Sequence, residues 1–419
     1  MNSGKRTTGA CRALPAYHMQ MIEPRAAESL IGEHLACLPI ESLPVGQCAG
    51  AVLRENIYAE RDQPPFDRVA MDGVALASSG AAGGRRRFRL QATQGAGEPP
   101  VVLASEANCV EVMTGAVLPV GCDTVVPVER LHSADGYVEV EADVAITPWK
   151  NVHRRASDRT QGALLLAAGS VLNAPEIAVA ASAGMARVRV SSQPAIVVIS
   201  TGNELVEPGD PIAPHQIRRS NAYAVVAALR QRGFQRVADD HLPDDATQLR
   251  ERLRLHLHTH EVLILSGGVS MGRFDLVPKS LEDIGVRCVL HGVSQRPGRP
   301  MWYGTSSEGR SVFALPGNPV STLVCLVRYV IPALYAAMGM PARARERVAL
   351  SAPIHWDAQM TGFMPVRLSN DDWARPWATP CPTNGSGDFV SLATTDGFVE
   401  LPPGPADFPK GHVARLFRW

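Results

Sequence analysis

Three strongly apolar segments, each ending at a polar loop that contains glycine, constrain the fold of this chain most. Two of them, AIVVIS from Ala195 and EVLILS from Glu261, are continuous apolar runs, and the third ends at Leu315. Such runs are typical of strands buried on both faces, and helical patterns with one apolar face separate them. The alternation from residue 195 to 340 therefore predicts a doubly wound, mostly parallel α/β domain that binds ligands at the carboxyl ends of its strands.

The loops that follow these strands read STGNE, SGGVSMGRFD and LPGNPVST. Glycines let backbone N–H groups converge, and the start of the next helix adds partial positive charge, so the second loop suits an oxyanion such as phosphate. Each loop alone is equally compatible with a tight turn, but three on one sheet edge favour a binding site. The candidate binding residues are Ser200, Thr201, Gly202, Ser266, Gly267, Gly268, Ser270, Pro316, Gly317, Asn318 and Pro319.

Arginines near these loops predict an anion site. Gln295-Arg296-Pro297-Gly298-Arg299-Pro300 places two arginines in a turn that two prolines stiffen. Arg219, Ser220 and Asn221 precede a predicted helix and are further binding candidates, with Ser220 or Asn221 as its N-cap. We expect five arginines to gather at one sheet edge and to focus positive potential on a small polyanion. These are Arg218, Arg219, Arg273, Arg296 and Arg299.

The rest of the chain divides by its texture. Residues 1–20 are predicted to be a disordered extension, and residues 46–148 a β-rich domain of short strands broken by Gly and Pro. Two segments, 21–45 and 149–186, each contain a helical pattern, and we expect these helices to pack together as a discontinuous linker domain. The α/β domain covers 187–340, and residues 341–419 predict a C-terminal β domain resembling a barrel or sandwich.

Composition excludes several classes of protein. Lys+Arg and Asp+Glu both number 41, so a protein that coats nucleic acid or an anionic membrane with positive charge is excluded. The eight cysteines lie singly, which argues against disulfide frameworks and zinc knuckles and favours the cytoplasm. The apolar stretch 320–340 contains Arg328 and Pro332, and therefore predicts a helix packed on the sheet rather than a membrane span.

Seven motifs together resemble one family, the molybdopterin molybdenumtransferases of the MoeA and gephyrin E-domain group. They occur in the order of that family and span Ile22 to Trp419. The resemblance implies a four-domain, elongated homodimer whose active site lies between the α/β domain of one subunit and the β-rich domain of the other. The motifs are PPFDRVAMDG, VMTGAVLPVGCDTVV, NVHRR, STGNEL, SGGVSMGRFD, RPGRP and ALPGNPVST.

The reaction that the resemblance implies is a transfer of molybdenum. Adenylylated molybdopterin and molybdate are the substrates, AMP and molybdenum cofactor are the products, and Mg²⁺ assists. Partners implied are the adenylyltransferase and recipient molybdoenzymes. Carried over by motif, the catalytic candidates include two metal ligands, Glu204 and Asp275, whose carboxylates suit Mg²⁺ beside a phosphate loop. The full set of catalytic candidates is Asp72, Thr114, Asp158, Glu204, Asp275, Arg296 and Arg299, and Pro316 and Pro319 also match functional positions.

The sequence departs from the family pattern at the arginines. Arg219 stands where many members have an aspartate, while Arg296 and Arg299 replace the two lysines of the K-P-G-K-P loop. Our hypothesis is that Arg219 binds a substrate phosphate directly. Two other functions stay open: a non-catalytic cofactor carrier, and a molybdopterin adenylyltransferase. The loop Gly-Gly-Val-Ser, in place of Gly-Gly-Thr-Gly, and the three additional domains count against the latter.

Overall fold

A computed structural model describes residues 21–269, 276–342, 344–356, 359–404 and 407–419. The chain divides into two compact units, a smaller one of residues 42–190 and a larger one that combines 1–41 with 191–419. The predicted extension 1–20 and the candidates Ser270, Arg273 and Asp275 lie outside the described residues.

The first helix, α1 (Pro24–His34), belongs to the larger unit. It buries Ala27 and Ile31, and packs against a strand at Arg287–His291 and a helix at Ile331–Ala337. The helix predicted to pair with it, at 174–182, belongs to the smaller unit instead. An apolar helix face packs on whichever apolar surface the fold brings near, and helical periodicity does not identify that surface.

The smaller unit is rich in β-structure, as its sequence predicts. Its main sheet has six strands in the order β7-β4-β6-β5-β9-β8, and only the β5–β6 pair is parallel. Three separate two-stranded pairs accompany this sheet: β1–β12, β2–β11 and β3–β10. The elements are β1 (Ile40–Pro44), β2 (Ile57–Tyr58), β3 (Arg68–Val69), β4 (Gly73–Leu76), β5 (Arg87–Gln94), β6 (Asn108–Val112), β7 (Thr124–Pro127), β8 (Leu131–Ala134), β9 (Tyr137–Val140), β10 (Val152–His153), β11 (Leu164–Leu166), α2 (Ala174–Ser182) and β12 (Arg187–Ser191).

The larger unit contains the predicted α/β sheet, in the order β16-β13-β17-β21-β20-β18. Its first four strands are parallel, while β20 and β18 add an antiparallel edge, so the prediction of a mostly parallel sheet is confirmed. The elements are β13 (Ile196–Thr201), β14 (Leu205–Val206), β15 (Ile217–Arg218), α3 (Asn221–Gln231), β16 (Val237–Leu242), α4 (Ala246–Thr259), β17 (Val262–Ser266), α5 (Val277–Asp283), β18 (Arg287–His291), β19 (Gln295–Arg296), β20 (Trp302–Thr305), β21 (Ser311–Leu315), α6 (Pro319–Cys325) and α7 (Ile331–Ala337).

The apolar stretch after β21 forms α6, a π-helical turn at Leu326–Val330, and α7. Within the described chain it is the one helical stretch with the length and composition of a membrane span, yet most of it is buried inside the protein. Arg328 is fully buried and pairs with Glu28 (Nη1 to Oε2, 3.0 Å) and Glu400 (Nε to Oε2, 3.2 Å). These ion pairs are consistent with the predicted packed helix.

The C-terminal region forms a closed barrel, as its sequence predicts. Strands β24, β25, β22, β28 and β26 pair in that order, and β26 pairs again with β24. Strand β19 of the α/β region adds to β24 in parallel, with Gln295 opposite Thr361 and Arg296 opposite Gly362. The elements are β22 (Arg347–Leu350), β23 (Ile354–His355), β24 (Thr361–Asn370), β25 (Pro376–Pro380), β26 (Gly397–Leu401), β27 (Asp407–Phe408) and β28 (Val413–Arg418).

Candidate functional site

The three predicted loops leave adjacent strands of the parallel sheet. Ser200 of β13 lies opposite Ser266 of β17, and Ser266 lies opposite Leu315 of β21. Because parallel strands end at the same edge, the three loops begin side by side, as the sequence predicts. Pro319 opens α6, and Asn318 precedes it.

Asn221, the first residue of α3, connects these loops. Its Nδ2 donates to Ser266 Oγ (2.9 Å), Gly317 O (2.7 Å) and Thr322 Oγ1 (3.2 Å). Its Oδ1 is buried without a partner among the described residues. The sequence offers Asn221 as a possible helix cap, but its side chain instead cross-links the ends of β17 and β21, while Ser220 occupies the N-cap position.

Gly267 and Gly268 leave a space that a side chain would fill. Both adopt positive φ (+103° and +65°). A Cβ on Gly267 would lie 2.8 Å from Thr201 O, and one on Gly268 would lie 2.7 Å from Val277 Cγ2. Thr201 Oγ1 is buried here and lacks a hydrogen-bond partner within the described chain. Exposed backbone and an unpaired hydroxyl suit a bound oxyanion.

The carboxylate of Glu204 is exposed and lies close to Gly202, the residue after Thr201. The described residues contain no group of three or more His, Cys, Asp or Glu side chains that could hold a metal ion. Mg²⁺ in phosphate sites needs only one or two carboxylates, with substrate phosphates and water completing its shell. Glu204 therefore fits such a site as one ligand, and the second candidate, Asp275, falls outside the described residues.

Arg219 does not face an open site, contrary to our hypothesis that it binds a substrate phosphate. It is 5% exposed, and its guanidinium donates to Glu207 Oε1 and, at 2.5 Å, to Asp239 Oδ2. Nη2 also donates to Asp240 O (3.1 Å), and Nε donates to Ser200 Oγ (3.2 Å). The guanidinium is thus committed to an internal network at the end of β13.

The charges of this network compensate each other. Burial opposes the charged form of Arg219, but Glu207 and Asp239 outweigh it and raise the pKa of Arg219. Arg219 in turn lowers the pKa of Glu207, and the hydroxyl of Tyr223 donates to the same carboxylate (2.9 Å). We call Arg219, Glu207, Asp239 and Tyr223 the arginine lock.

The expectation that these arginines focus positive potential on a ligand is therefore wrong for two of the four that are described. Arg218 uses Nη1 to donate to Glu207 O and Asp210 O, both at 2.7 Å, and Arg219 is neutralised by carboxylates. Arg296 and Arg299 instead line a separate cavity. The reason is that the carboxylates of the arginine lock reach the sheet edge from other segments, and a count of arginines does not reveal such partners.

The cavity has a volume of about 830 Å³ and is open to solvent. Arg296 and Arg299 are exposed in it, and neither forms an ion pair with any described residue. Pro316 and Asn318 of the third loop also line it. The structure thus brings the RPGRP and LPGNP motifs to one cavity, whereas the Asn221 contacts lie at the neighbouring strand ends.

A buried side-chain network holds the RPGRP loop in place. The hydroxyl of Tyr329, in the π-helical turn, donates to Gln295 Oε1, and Gln295 Nε2 donates to Pro297 O (3.1 Å). Gly298 has φ +93°, and a Cβ there would lie 2.5 Å from Gln295 Nε2 and 2.6 Å from Cys325 Sγ. Gln295 begins the loop quoted above but was not among the predicted site residues, and Tyr329 lies in an apolar helical segment without a motif.

The C-terminal barrel supplies the opposite wall of the cavity, which the sequence did not predict. Trp356, Met360 and Met364 line it. Ser386 accepts a hydrogen bond from Asn318 Nδ2 at Oγ (2.7 Å), and its carbonyl accepts from Val320 N (3.0 Å). No sequence signal identified these residues, since barrel strands lack the loop motifs that mark the α/β edge.

In the smaller unit, the candidates Asp72 and Thr114 lie in direct contact. Asp72 Oδ1 accepts hydrogen bonds from both the hydroxyl and the backbone N–H of Thr114, each at 2.6 Å. These two bonds lower the pKa of Asp72, the hydroxyl contributing more. The carboxylate also lines a cavity of about 230 Å³ with Glu111 and Met113. Asp72 is therefore ionised at neutral pH.

Asp158, the third candidate of this unit, belongs to a chain of contacts with two residues that we did not single out. His153 Nε2 contacts Asp158 Oδ1 (2.8 Å), and His153 Nδ1 contacts Arg68 Nη2 (3.0 Å). The β3–β10 pairing sets this up by placing His153 opposite Arg68. Both residues lie inside quoted motifs, FDRV and NVHRR, so proximity to the candidates could have indicated them.

Three family models match consecutive parts of the chain. They are described as the MoeA N-terminal region (domain I and II), over residues 22–184, a probable molybdopterin binding domain, over 197–336, and the MoeA C-terminal region (domain IV), over 347–416. Together with the mostly parallel sheet and its loops, these define a multidomain protein built around a molybdopterin-binding type of α/β domain.

Curated relatives and a solved structure point to the same family. A molybdopterin molybdenumtransferase from Synechocystis sp. is 40% identical over 402 residues, covering 95% of this chain and all of the relative. Molybdopterin molybdenumtransferase 2 from Mycobacterium tuberculosis is 34% identical, covering 73% and 77%. The crystal structure of the molybdopterin biosynthesis MoeA protein from Pyrococcus horikosii is 28% identical, with TM-score 0.79 and coverage of 95% and 99%. The chain belongs to the molybdopterin molybdenumtransferase (MoeA) family, a family of transferases.

Proposed function

We propose that this chain inserts molybdenum from molybdate into adenylylated molybdopterin, with Mg²⁺-dependent release of AMP, in the synthesis of molybdenum cofactor. The observation that carries the proposal is the cavity in which Arg296 and Arg299 have no ion pair with a described residue. Both substrates are anions, and exposed guanidinium groups in a concave site attract them. The family membership indicates the same class of reaction.

Arg296 and Arg299 bind the anion. A guanidinium offers a planar fork of N–H donors that matches two oxygens of molybdate or phosphate at once. Their positive charge stabilises the negative charge that develops on the oxygens when the phosphoanhydride breaks. The Tyr329–Gln295 hydrogen bonds fix the loop that carries them.

The glycine cradle holds the phosphate. The backbone N–H groups of Gly267 to Ser270 would donate to its oxygens. Mg²⁺ would be held by Asp275 and Glu204 and would neutralise phosphate charge. Asn221 keeps the second and third loops together.

The β-rich domain contributes Asp72, Thr114 and Asp158, from the partner subunit of a homodimer. With its pKa lowered by Thr114, the carboxylate of Asp72 stays ionised and accepts hydrogen bonds rather than acting as an acid. We further propose a cytoplasmic location, where the adenylyltransferase and recipient molybdoenzymes would be its partners.

The test is turnover by the purified full-length chain. Adenylylated molybdopterin, molybdate and Mg²⁺ are added, and AMP release is followed together with reconstitution of a cofactor-free molybdoenzyme. AMP release with active enzyme supports the proposal. Binding without AMP release would instead indicate a carrier, and incorporation of AMP from ATP an adenylyltransferase.

A matched pair of variants makes this test specific. Arg299→Ala removes a cation from the cavity, while Arg367→Ala removes an exposed arginine from strand β24, outside the cavity lining. We expect AMP release to fall only in the first. An equal effect of both variants would contradict the assignment of the cavity.

A further inference from the structure

We propose that His153 is a positioning residue for Asp158, because it donates a hydrogen bond to one oxygen of this carboxylate and leaves the other oxygen to the substrate. Arg68 determines which ring nitrogen of His153 carries the proton. The inference rests on the proposed function, in which Asp158 is a catalytic candidate. It adds two residues to that function, both of which act through Asp158.

The contact between Arg68 and His153 determines the tautomer of the imidazole. Arg68 Nη2 lies 3.0 Å from His153 Nδ1. A guanidinium group has N–H donors and no acceptor, so Nδ1 is the acceptor of this hydrogen bond and carries no proton. The proton of the neutral ring is therefore on Nε2, since the hydrogen bond at one ring nitrogen decides the state of the other.

The Nε2–H group of His153 is directed at Asp158. Nε2 lies 2.8 Å from Asp158 Oδ1, and the only other side-chain contact of that oxygen within the described chain is the hydroxyl of Ser157, at 3.5 Å. Asp158 Oδ2 has no hydrogen bond with any residue that the structure describes, and the side chain is 53% exposed. The protein thus occupies one oxygen, and the other is open to a donor group of the substrate.

Backbone hydrogen bonds hold both ends of this chain of contacts. The β3–β10 pairing places Arg68 opposite His153. The backbone N–H groups of Asp158 and Arg159 both donate to Gln63 O, at 2.9 Å and 3.0 Å. Only the side-chain torsions of Asp158 are left to be fixed, and the hydrogen bond from His153 restricts them.

The same strand also positions the other carboxylate candidate of this unit. Strand β3 bonds along one edge to residues 115–118, directly after Thr114, and along the other edge to β10. Thr114 donates to Asp72 Oδ1, as His153 donates to Asp158 Oδ1. The two carboxylates therefore share one arrangement, in which a neighbouring side chain holds Oδ1 and no described residue bonds to Oδ2.

NMR spectroscopy of the full-length chain with isotope-labelled histidine tests the contact without turnover. The ring signals of His153 are identified by their loss in His153→Gln. We expect a slowly exchanging proton on Nε2 and none on Nδ1, and we expect Asp158→Ala to abolish that proton signal. In Arg68→Met, Nδ1 loses its donor, so both tautomers should be populated. A proton on Nδ1 in the wild-type chain would overturn the inference.

Turnover measures whether the contact serves catalysis. His153→Leu cannot donate to Asp158 and should lower kcat for AMP release by about 10- to 100-fold, the loss typical when the partner that orients a functional group is removed. KM should stay nearly unchanged, because His153 bonds to Asp158 and not to substrate. His153→Gln should keep most of the rate, since an amide offers a donor and an acceptor as the neutral imidazole does.

His132→Leu is the matched control for the loss of an imidazole. His132 lies in the same unit, and its Nε2 is 3.9 Å from Glu141 Oε1. We expect this variant to keep the wild-type kcat. An equal loss of rate in His132→Leu and His153→Leu would contradict a specific role of His153.

A double-mutant cycle shows whether His153 acts through Asp158. If it does, His153→Leu has no further effect on kcat in a chain that already carries Asp158→Ala. Effects that multiply would show that the two residues act independently, against the inference. Urea unfolding of each variant excludes a general loss of structure, and Arg68→Met repeats the test with the histidine in place.

The outcomes separate this inference from the proposed function. If wild type releases AMP and inserts molybdenum but His153→Leu does so at the same rate, the positioning role is wrong and the function stands. If wild type releases no AMP, the proposed function is wrong, while the Nε2 proton and its dependence on Asp158 still decide whether His153 holds that carboxylate.

Discussion

Two pairs of arginines in the larger unit have the same charge and different environments. Arg218 ends the short strand β15 and Arg219 follows it, and the two side chains donate to backbone carbonyls and to two carboxylates. Arg296 and Arg299 lie in a loop that is anchored by buried neighbours, while their own guanidinium groups are exposed in a cavity. The first pair serves the fold, and the second pair is available to a ligand.

The difference lies in where the partners come from. The arginine lock takes Glu207 and Asp239 from segments on either side of Arg219 in the chain, and these neutralise it. The RPGRP loop is held through Gln295 and Tyr329, which bond to each other and to the loop backbone rather than to the guanidinium groups. An arginine attracts an anion when its loop is fixed but its donors are free.

The largest expected effect comes from substitution of Arg296 or Arg299. Arg296→Ala or Arg299→Ala should each lower the rate of AMP release by about 100-fold, the size seen when one donor to a developing anion is lost. The free energy of unfolding, measured with urea, should change by less than about 0.5 kcal/mol, because the side chains are exposed. A variant that loses stability as well as activity would show that this loop resembles the arginine lock.

Substitutions in the arginine lock, by contrast, should act on the stability of the fold. Arg219→Met should lower the free energy of unfolding by about 2 kcal/mol, since it leaves two carboxylates without their cation. This is below the loss for a fully buried pair because water reaches both carboxylates. Arg219→Asp should lower it at least as far, and Arg218→Met less. Urea unfolding of the four proteins measures this, and equal midpoints would contradict the lock.

The effect of Arg219→Met on stability should also depend on pH. Arg219 lowers the pKa of Glu207 in the folded state, from an ordinary value of 4.5. A lowered pKa of an acid stabilises the fold at pH values above the ordinary pKa, and this contribution is lost as pH falls through the folded-state pKa. The stability difference between wild type and Arg219→Met should therefore narrow as the pH falls below about 4.5. A constant difference down to pH 3 would exclude Glu207 as the partner.

A smaller effect is expected for Tyr329, which helps to hold the loop that carries Arg296 and Arg299. Tyr329→Phe removes the hydroxyl that donates to Gln295, at a cost of about 1 kcal/mol in stability. Because the RPGRP loop loses its support, KM for molybdate should rise more than kcat falls. Tyr303→Phe is the control, because Tyr303 is equally buried and its hydroxyl contacts Ser311 (3.4 Å), away from the loop. A KM change in both variants would indicate a general loss of stability.

The smallest effect concerns Asp72 of the other unit. Thr114→Val removes the hydroxyl that contributes most to the lowered pKa of Asp72, while the backbone N–H still donates. The pKa of Asp72 should rise toward its ordinary value, and Thr114→Ser should retain the low pKa. Carbon-detected NMR titration of the aspartate carboxyl groups measures this shift. An unchanged pKa in Thr114→Val would assign the shift to the backbone bond.

Much of the architecture follows from local patterns. The runs AIVVIS and EVLILS predict β13 and β17, and the leucines at 249, 253 and 257 form the buried face of α4. The predicted adjacency of the three loops is confirmed by the strand register at Ser200 and Ser266. Periodicity carries this information because strand and helix geometry repeat over a few residues.

The residues that line and support the cavity could not be predicted from such local patterns. Trp356 and Met360 belong to a barrel whose strands show no motif, and they reach the RPGRP loop because β19 pairs with β24. Tyr329 lies in what reads as an ordinary apolar helix, and its π-helical turn is visible only in the structure. Each of these contacts joins segments that are far apart in the chain.

The sequence by itself determined the order of the elements, the loops at the sheet edge and the family, since these depend on local periodicity and short motifs. Only the tertiary structure decided which arginines are free, because the charge available at a guanidinium depends on the carboxylates folded against it. Glu207 and Asp239 neutralise Arg219, whereas no described carboxylate reaches Arg296 or Arg299. Net charge adds over a sequence, but electrostatic potential depends on the distances between charges in the fold.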